Sequence, residues 1–137
     1  MTERRVPVFF YGLFMDADLL RAKGAQPTAV RKASVPNYGL RIGQRAALIV
    51  SPGGRVYGIL MDLRHRELEA LYADPSVSAY KPEPVIAELA DGERVAVLCF
   101  NLPVAPLADE HNPDYARKLR ELAVTLDLPA EYVATIR

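Results

Sequence analysis

The sequence predicts an α+β fold: a mostly antiparallel sheet of six or so strands curled into a small barrel, with helices flanking it. Three observations predict it. Apolar runs of strand length recur along most of the chain. Eleven prolines and eight glycines punctuate them, so the connections are tight. The clearest change to a helical period is mid-chain, and two further helices close the C-terminal end. Many short strands joined by tight turns favour a curled sheet over an open, doubly wound one.

Taken in order, Val6–Tyr11 reads as a buried strand. Asp16–Lys23, with Leu19 and Leu20 apolar and Gly24 as its stop, reads as a short helix. Thr28–Ser34 is a strand followed by a turn at Val35-Pro36-Asn37. Tyr38–Ile42 and Ala46–Ser51 continue the sheet, and Pro52-Gly53-Gly54 reads as a hairpin-type turn. Arg55–Leu63 carries apolar residues on both faces, so both sides must be covered. In Arg64–Tyr72 the period changes: Leu68, Leu71 and Tyr72 fall at i, i+3 and i+4, with Arg64, Arg66, Glu67 and Glu69 outward. That helix stops before Pro75. Tyr80–Leu89 alternates as a strand whose first half cannot pair fully, because Pro82 and Pro84 lack donors. Asp91-Gly92 turns the chain into Arg94–Asn101, its antiparallel partner. Leu102–Pro113 reads as a surface loop, Asp114–Leu126 as a helix, and Pro129–Thr135 as a last short helix.

At 137 residues, with no linker, repeat or low-complexity tract, residues 1–137 form one domain large enough to fold without metal or disulfide support. Half the residues are apolar and a quarter are charged, as in ordinary globular proteins. Lys plus Arg and Asp plus Glu are balanced at 17 each, which gives no argument for nucleic acid or an acidic membrane surface. No apolar stretch approaches the ~20 residues that span a bilayer. Met1–Arg5 is basic but lacks a signal-peptide core behind it. Cys99 is the lone cysteine, which favours a reducing, cytoplasmic setting.

Metal and nucleophile constellations are absent from the sequence. His65 and His111 have no spaced Cys or carboxylate partners and read as solvated surface residues, so no metal site is expected. Cys99 sits inside an apolar strand and reads as a structural thiol. The informative stretch is Val6–Asp16. A buried strand stops at Tyr11-Gly12, and an acidic pair, Asp16 and Asp18, stands where a helix begins. Such a corner points several N–H groups one way, a receptor for a carboxylate or phosphate, or else it is an ordinary strand–turn–helix corner. Asp74, pinned by Pro75 at the end of the mid-chain helix, either occupies a partly desolvated cleft that raises its pKa toward acid/base use, or solvates a turn. Tyr11 and Tyr80 either point hydroxyls into a cavity or pack in the core.

The order of these motifs resembles the γ-glutamylcyclotransferase-like superfamily over nearly the whole chain. The family's Tyr-Gly-Ser-Leu/Asn-Met/Leu loop is matched by Tyr11-Gly12-Leu13-Phe14-Met15. Its glycine-turned hairpin and Val-x-Gly-x-Leu strand are matched by Pro52-Gly53-Gly54 and Val56-Tyr57-Gly58-Ile59-Leu60. Its helix ending in a Leu-Asp-x-x-Glu-Gly-like segment and then a tyrosine corresponds to Leu68–Pro75 and Tyr80. Asn112–Tyr115, Leu128-Pro129 and Tyr132 resemble the closing helices.

The resemblance implies a small mixed β-barrel flanked by helices. It also implies release of 5-oxoproline from a γ-glutamyl amine, amide or peptide, without cofactor. The partner implied is a small-molecule substrate bearing an α-amino acid group. The N–H groups of Gly12, Leu13 and Phe14 would meet its α-carboxylate, Tyr11 and Tyr80 would line the pocket, and one carboxylate would carry both proton transfers. Two departures qualify this. The family's loop serine is Leu13, and its catalytic glutamate has no exact counterpart. Ungapped alignment from Leu71 puts Pro75 there, and a one-residue shift puts Asp74 there. Glu69 falls on the exposed face, and Glu83, between two prolines, has no direction set by the sequence. Asp74 is therefore the expected acid/base. The rivals are a binding domain that lost proton transfer and a different enzyme acting on a more apolar substrate.

Overall fold

The computed structural model describes residues 4–137, so Met1–Glu3 of the segment read against a signal peptide lie outside it. The strands are β1 (Arg5–Phe10), β2 (Thr28–Ile42), β3 (Ala46–Arg64), β4 (Lys81–Leu89) and β5 (Arg94–Asn101). The helices are α1 (Ala17–Ala22), α2 (His65–Tyr72), α3 (Pro113–Thr125) and α4 (Ala130–Val133), and a 3-10 turn spans Leu13–Met15. The strands close into a barrel in the order β1-β3-β2-β4-β5. All pairs are antiparallel except the closing one, where β1 runs parallel to β5 through Val8↔Leu98 and Phe9↔Cys99. The barrel is therefore mixed.

The described residues hold five strands rather than six or so, because two expected turns are bulges inside long strands. Across the β2–β3 ladder Pro36 pairs with Arg55 and Tyr38 with Val50, which leaves Asn37 opposite Ser51–Gly54. Asn37 at φ 67° and Gly53 at φ 80° both take the left-handed region. The Gly53 N–H donates to Asn37 Oδ1 at 3.2 Å. Two left-handed residues facing one another twist the ribbon and do not reverse it. The reversal lies at Gly43-Gln44-Arg45, where the Gly43 N–H donates to the Arg45 carbonyl at 3.0 Å.

β3 lies between β1 and β2, and Gly58–Met61 are buried in succession, as covering on both faces requires. The core is filled by Val8, Phe9, Leu60, Met61 and Leu63 from the barrel, with Leu119 and Ile136 from the C-terminal segment. Each such side chain contributes about 1.5–3 kcal/mol through burial. α4 lays Tyr132 on Tyr57, ring centroids 5.2 Å apart. β4 meets β2 only at Leu89 and Glu88, so Pro82 and Pro84 sit where that neighbour has left the ladder.

Helix ends follow the sequence. Asp16 Oδ1 accepts from the Asp18 and Leu19 N–H groups at 3.0 and 3.3 Å, capping α1. The Ala25 N–H reaches back to the Leu20 carbonyl at 3.0 Å to close it. One side chain departs from expectation: Glu67, expected outward on α2, is 8% exposed. It accepts from the Arg64 N–H at 2.8 Å, closing the first turn of α2, and from the Gln26 N–H at 2.5 Å. Burial alone would raise its pKa, but those two donors and the Arg64 and Arg5 charges prevail and hold it below the usual range. Among the described residues, no helix is long and apolar enough to cross a membrane.

Candidate functional site

Where β1 ends, the Tyr11 ring is buried and its hydroxyl donates to the Phe100 carbonyl at 2.9 Å and to Asn101 Oδ1 at 3.1 Å. Asn101 is the hub of this end of the barrel. Its Oδ1 also accepts from the Leu48 and Leu102 N–H groups, at 2.9 and 3.0 Å. Its Nδ2 donates to the Leu48 carbonyl at 3.0 Å and to Glu83 Oε1 at 2.8 Å. Glu83 is therefore directed toward Asn101 and opposite Cys99 in the β4–β5 register. Burial, and then the Glu83 charge, push the Cys99 thiol up to about 12, which makes it an inert core residue.

After Tyr11 the chain makes a tight turn. The Met15 N–H donates to the Gly12 carbonyl at 3.0 Å, and the Asp16 N–H to the Leu13 carbonyl at 3.2 Å. The turn leaves the Leu13 and Phe14 N–H groups outside its own hydrogen bonds. Tyr115, arriving from α3, places its hydroxyl against the N–H groups of Leu13 and Ala46. A Cβ on Gly12 would lie 2.8 Å from that oxygen, so the turn and α3 approach this closely only with glycine there. The Tyr80 hydroxyl donates to the Ala46 carbonyl.

These groups surround a hollow of about 170 Å³. Tyr11, Gly12, Leu13, Phe14, Asp74 and Tyr80, the residues singled out from the sequence, all border it. Tyr72, Tyr115, Arg45 and Lys23 border it too and were not anticipated. Tyr72 stacks on Phe100 with centroids 4.0 Å apart, and Phe14 meets Tyr72 edge-on at 5.7 Å. The interior is thus a box of phenol and phenyl rings. Burial raises the pKa values of Tyr11, Tyr72 and Tyr80, so these phenols stay protonated at neutral pH.

Asp74 differs from the desolvated carboxyl considered above. It is exposed, and its Oδ1 accepts from the Ser76 N–H at 2.8 Å. Hydrogen bonds from the Ser76 side chain and backbone, helped by the Lys23 and Arg45 charges, hold its pKa below the usual range. The physical reason is the Asp-Pro turn itself, which lifts the carboxylate to the rim. His65 is also at the surface, paired with Glu69 at 3.0 Å, and His111 is exposed.

Asp74 also borders a larger open groove of about 530 Å³ between α2 and the α1–β2 connection. Its buried carboxylate, Glu67, is already saturated by backbone donors, so the smaller aromatic hollow is the better candidate for ligand recognition.

The family described as "Gamma-glutamyl cyclotransferase, AIG2-like" matches residues 8–122. A solved structure described as "Gamma-glutamyl cyclotransferase" is similar with a TM-score of 0.77 and 18% identity, over 98% of this chain and 89% of that one. The human uncharacterized protein loc79017 is similar to the same degree: TM-score 0.77, 18% identity, 98% and 89% coverage. YkqA from Bacillus subtilis is similar with a TM-score of 0.72 and 23% identity, over 96% of this chain and 52% of that one. At these identities the structures speak for the fold. Among curated proteins, none matches the chain. A family match over most of the chain, on a closed mixed barrel of the same architecture, settles the relationship: this chain belongs to the gamma-glutamyl cyclotransferase, AIG2-like family.

Proposed function

We propose that this protein releases 5-oxoproline from a small γ-glutamyl amine, amide or peptide in the cytoplasm, without a cofactor. One observation carries the reading: the Tyr11–Phe14 turn and Asp74 border a single hollow, and Asp74 is the acidic residue at its rim. In this reading the Phe14 N–H of the turn receives the α-carboxylate, and Tyr11 and Tyr80 wall the chain of the substrate. Asp74 accepts a proton from the α-ammonium. The freed amine attacks the γ-carbonyl carbon and gives up its second proton to the departing nitrogen as that bond breaks, and Asp74 returns the first, so the leaving group departs as an ammonium. At about 170 Å³ the hollow is smaller than the ~300 Å³ of ordinary ligand pockets, which favours a small leaving group. Leu13, in place of the serine expected of the loop, makes that wall apolar.

A second reading, a ligand-binding domain that no longer transfers protons, is favoured by the state of Asp74. Its carboxylate is exposed and held below its usual pKa. A proton moved to it from an α-ammonium with a pKa of about 8 goes steeply uphill. An assay separates the two. The protein is incubated with a panel of γ-glutamyl amines and peptides, and 5-oxoproline is measured. Product that disappears in Asp74→Asn supports cyclisation. No product from any member, with tight binding of 5-oxoproline itself, supports the binding domain.

A further inference from the structure

We propose that Arg45 is the residue that recognises the carboxylate of the ligand in the aromatic hollow; this rests on reading that hollow as the ligand site. Arg45 closes the β2–β3 turn, and the turn is fixed from two sides. The Gly43 N–H donates to the Arg45 carbonyl at 3.0 Å. Asn112 Nδ2 donates to the Gln44 carbonyl at 2.9 Å. The same Asn112 caps α3 through the Tyr115 N–H at 3.1 Å. One side chain therefore ties the turn carrying Arg45 to the helix carrying Tyr115.

Arg45 is half-buried and borders the hollow, and its charge is felt by Tyr80, Tyr115 and Asp74. Among the described residues no carboxylate pairs with Arg45 at ion-pair distance, and Asp74 feels its charge only from farther off. Asp114, nearby on α3, is engaged by Arg117 at 2.5 Å and Lys118 at 3.3 Å, and Asp74 by Ser76. Other guanidiniums in the barrel have protein partners: Arg31 meets Asp62 and Arg55 meets Glu88, each at 3.5 Å, and Arg41 donates to the Pro106 carbonyl at 3.3 Å. A guanidinium is a planar fork matched to a carboxylate, and partial burial strengthens that pairing.

The turn needs such help. The Tyr115 hydroxyl already faces the Leu13 N–H, which leaves the Phe14 N–H as a donor for an incoming anion. Arg45 supplies the charge that a depleted backbone cradle lacks. The ligand class follows: a small molecule with one carboxylate at the mouth and an apolar or amide body against the Phe14 and Tyr72 rings.

The test is calorimetric titration with 5-oxoproline and with its neutral carboxamide. Wild type is expected to bind the acid about ten- to hundredfold more tightly than the amide, the range of a charge-assisted hydrogen bond. Arg45→Met is expected to erase that preference, lowering affinity for the acid at least tenfold and for the amide far less, and Arg45→Lys to restore part of it. Equal binding of acid and amide by wild type, no binding of either, or a preference that survives Arg45→Met overturns the proposal. Its fate is separable from that of cyclisation. Product formation with an Arg45-independent preference removes Arg45 and keeps the reaction. An Arg45-dependent preference without product keeps Arg45 and removes the reaction.

Discussion

Tyr115 holds its hydroxyl 2.8 Å from the point where a side chain on Gly12 would begin. This close approach brings the turn after β1 against α3, and both residues border the hollow. Gly12→Ala is therefore expected to push Tyr115 off the Leu13 and Ala46 amides and to destabilise the fold by about 1–3 kcal/mol through overpacking. Urea denaturation measures it. Tyr115→Phe in the same chain removes the clashing oxygen and is expected to recover part of the loss.

Asp74 gives a prediction with a definite sign. Its pKa lies below the ordinary 3.8, so the carboxylate is ionised throughout the neutral range. If it accepts the substrate proton, the acid limb of kcat/KM lies below pH 3.8 rather than between 5 and 7. Asp74→Asn keeps an oxygen for the Ser76 N–H. It is expected to leave the melting temperature unchanged while lowering 5-oxoproline release about 100-fold or more.

Glu67 acts on stability alone. Its folded pKa is depressed, so the stabilisation it provides is fully present above the ordinary 4.5 and is lost as pH falls through the lower folded value. Glu67→Ala strands the Arg64 and Gln26 donors and is expected to cost about 2 kcal/mol at pH 7. Denaturation curves at pH 7 and at pH values below 4.5 are expected to show a smaller difference between variant and wild type under the acidic condition.

Asn101 joins Tyr11, Leu48, Leu102 and Glu83 in one buried network. Asn101→Leu has similar volume but leaves the Leu48 N–H and carbonyl unpartnered. We expect a loss of about 3 kcal/mol or more, large for one substitution, measured by chemical denaturation.

Much of the architecture was legible because period and punctuation agree. Val85 and Ala87 alternate inward, and Leu119 and Ala123 repeat along α3. The strand count failed where local chemistry misleads. Pro36-Asn37 and Pro52-Gly53-Gly54 carry strong turn signals, yet they face each other as a bulge, and such facing is a tertiary fact. Glu67 was misplaced because helical phase ignores the Gln26 backbone arriving from another segment.

At the site, Tyr11 to Phe14, Asp74 and Tyr80 were legible because each flanks a chain reversal. Tyr72 was visible only as a core position of its helix. Arg45 and Tyr115 reach the hollow from elements distant in sequence, and nothing in their spacing brings them together. The depressed pKa of Asp74 was likewise hidden, because it depends on the Asp-Pro turn facing solvent.

The central claim is that the aromatic hollow beside Gly12 holds a small carboxylate-bearing ligand. A crystal structure of the protein with 5-oxoproline tests it most directly. We expect the ring against Phe14 and Tyr72, with the carboxylate in hydrogen-bond contact with the Phe14 N–H and Arg45. A ring bound in the groove beside Glu67, or a hollow left empty at saturating ligand, would contradict it.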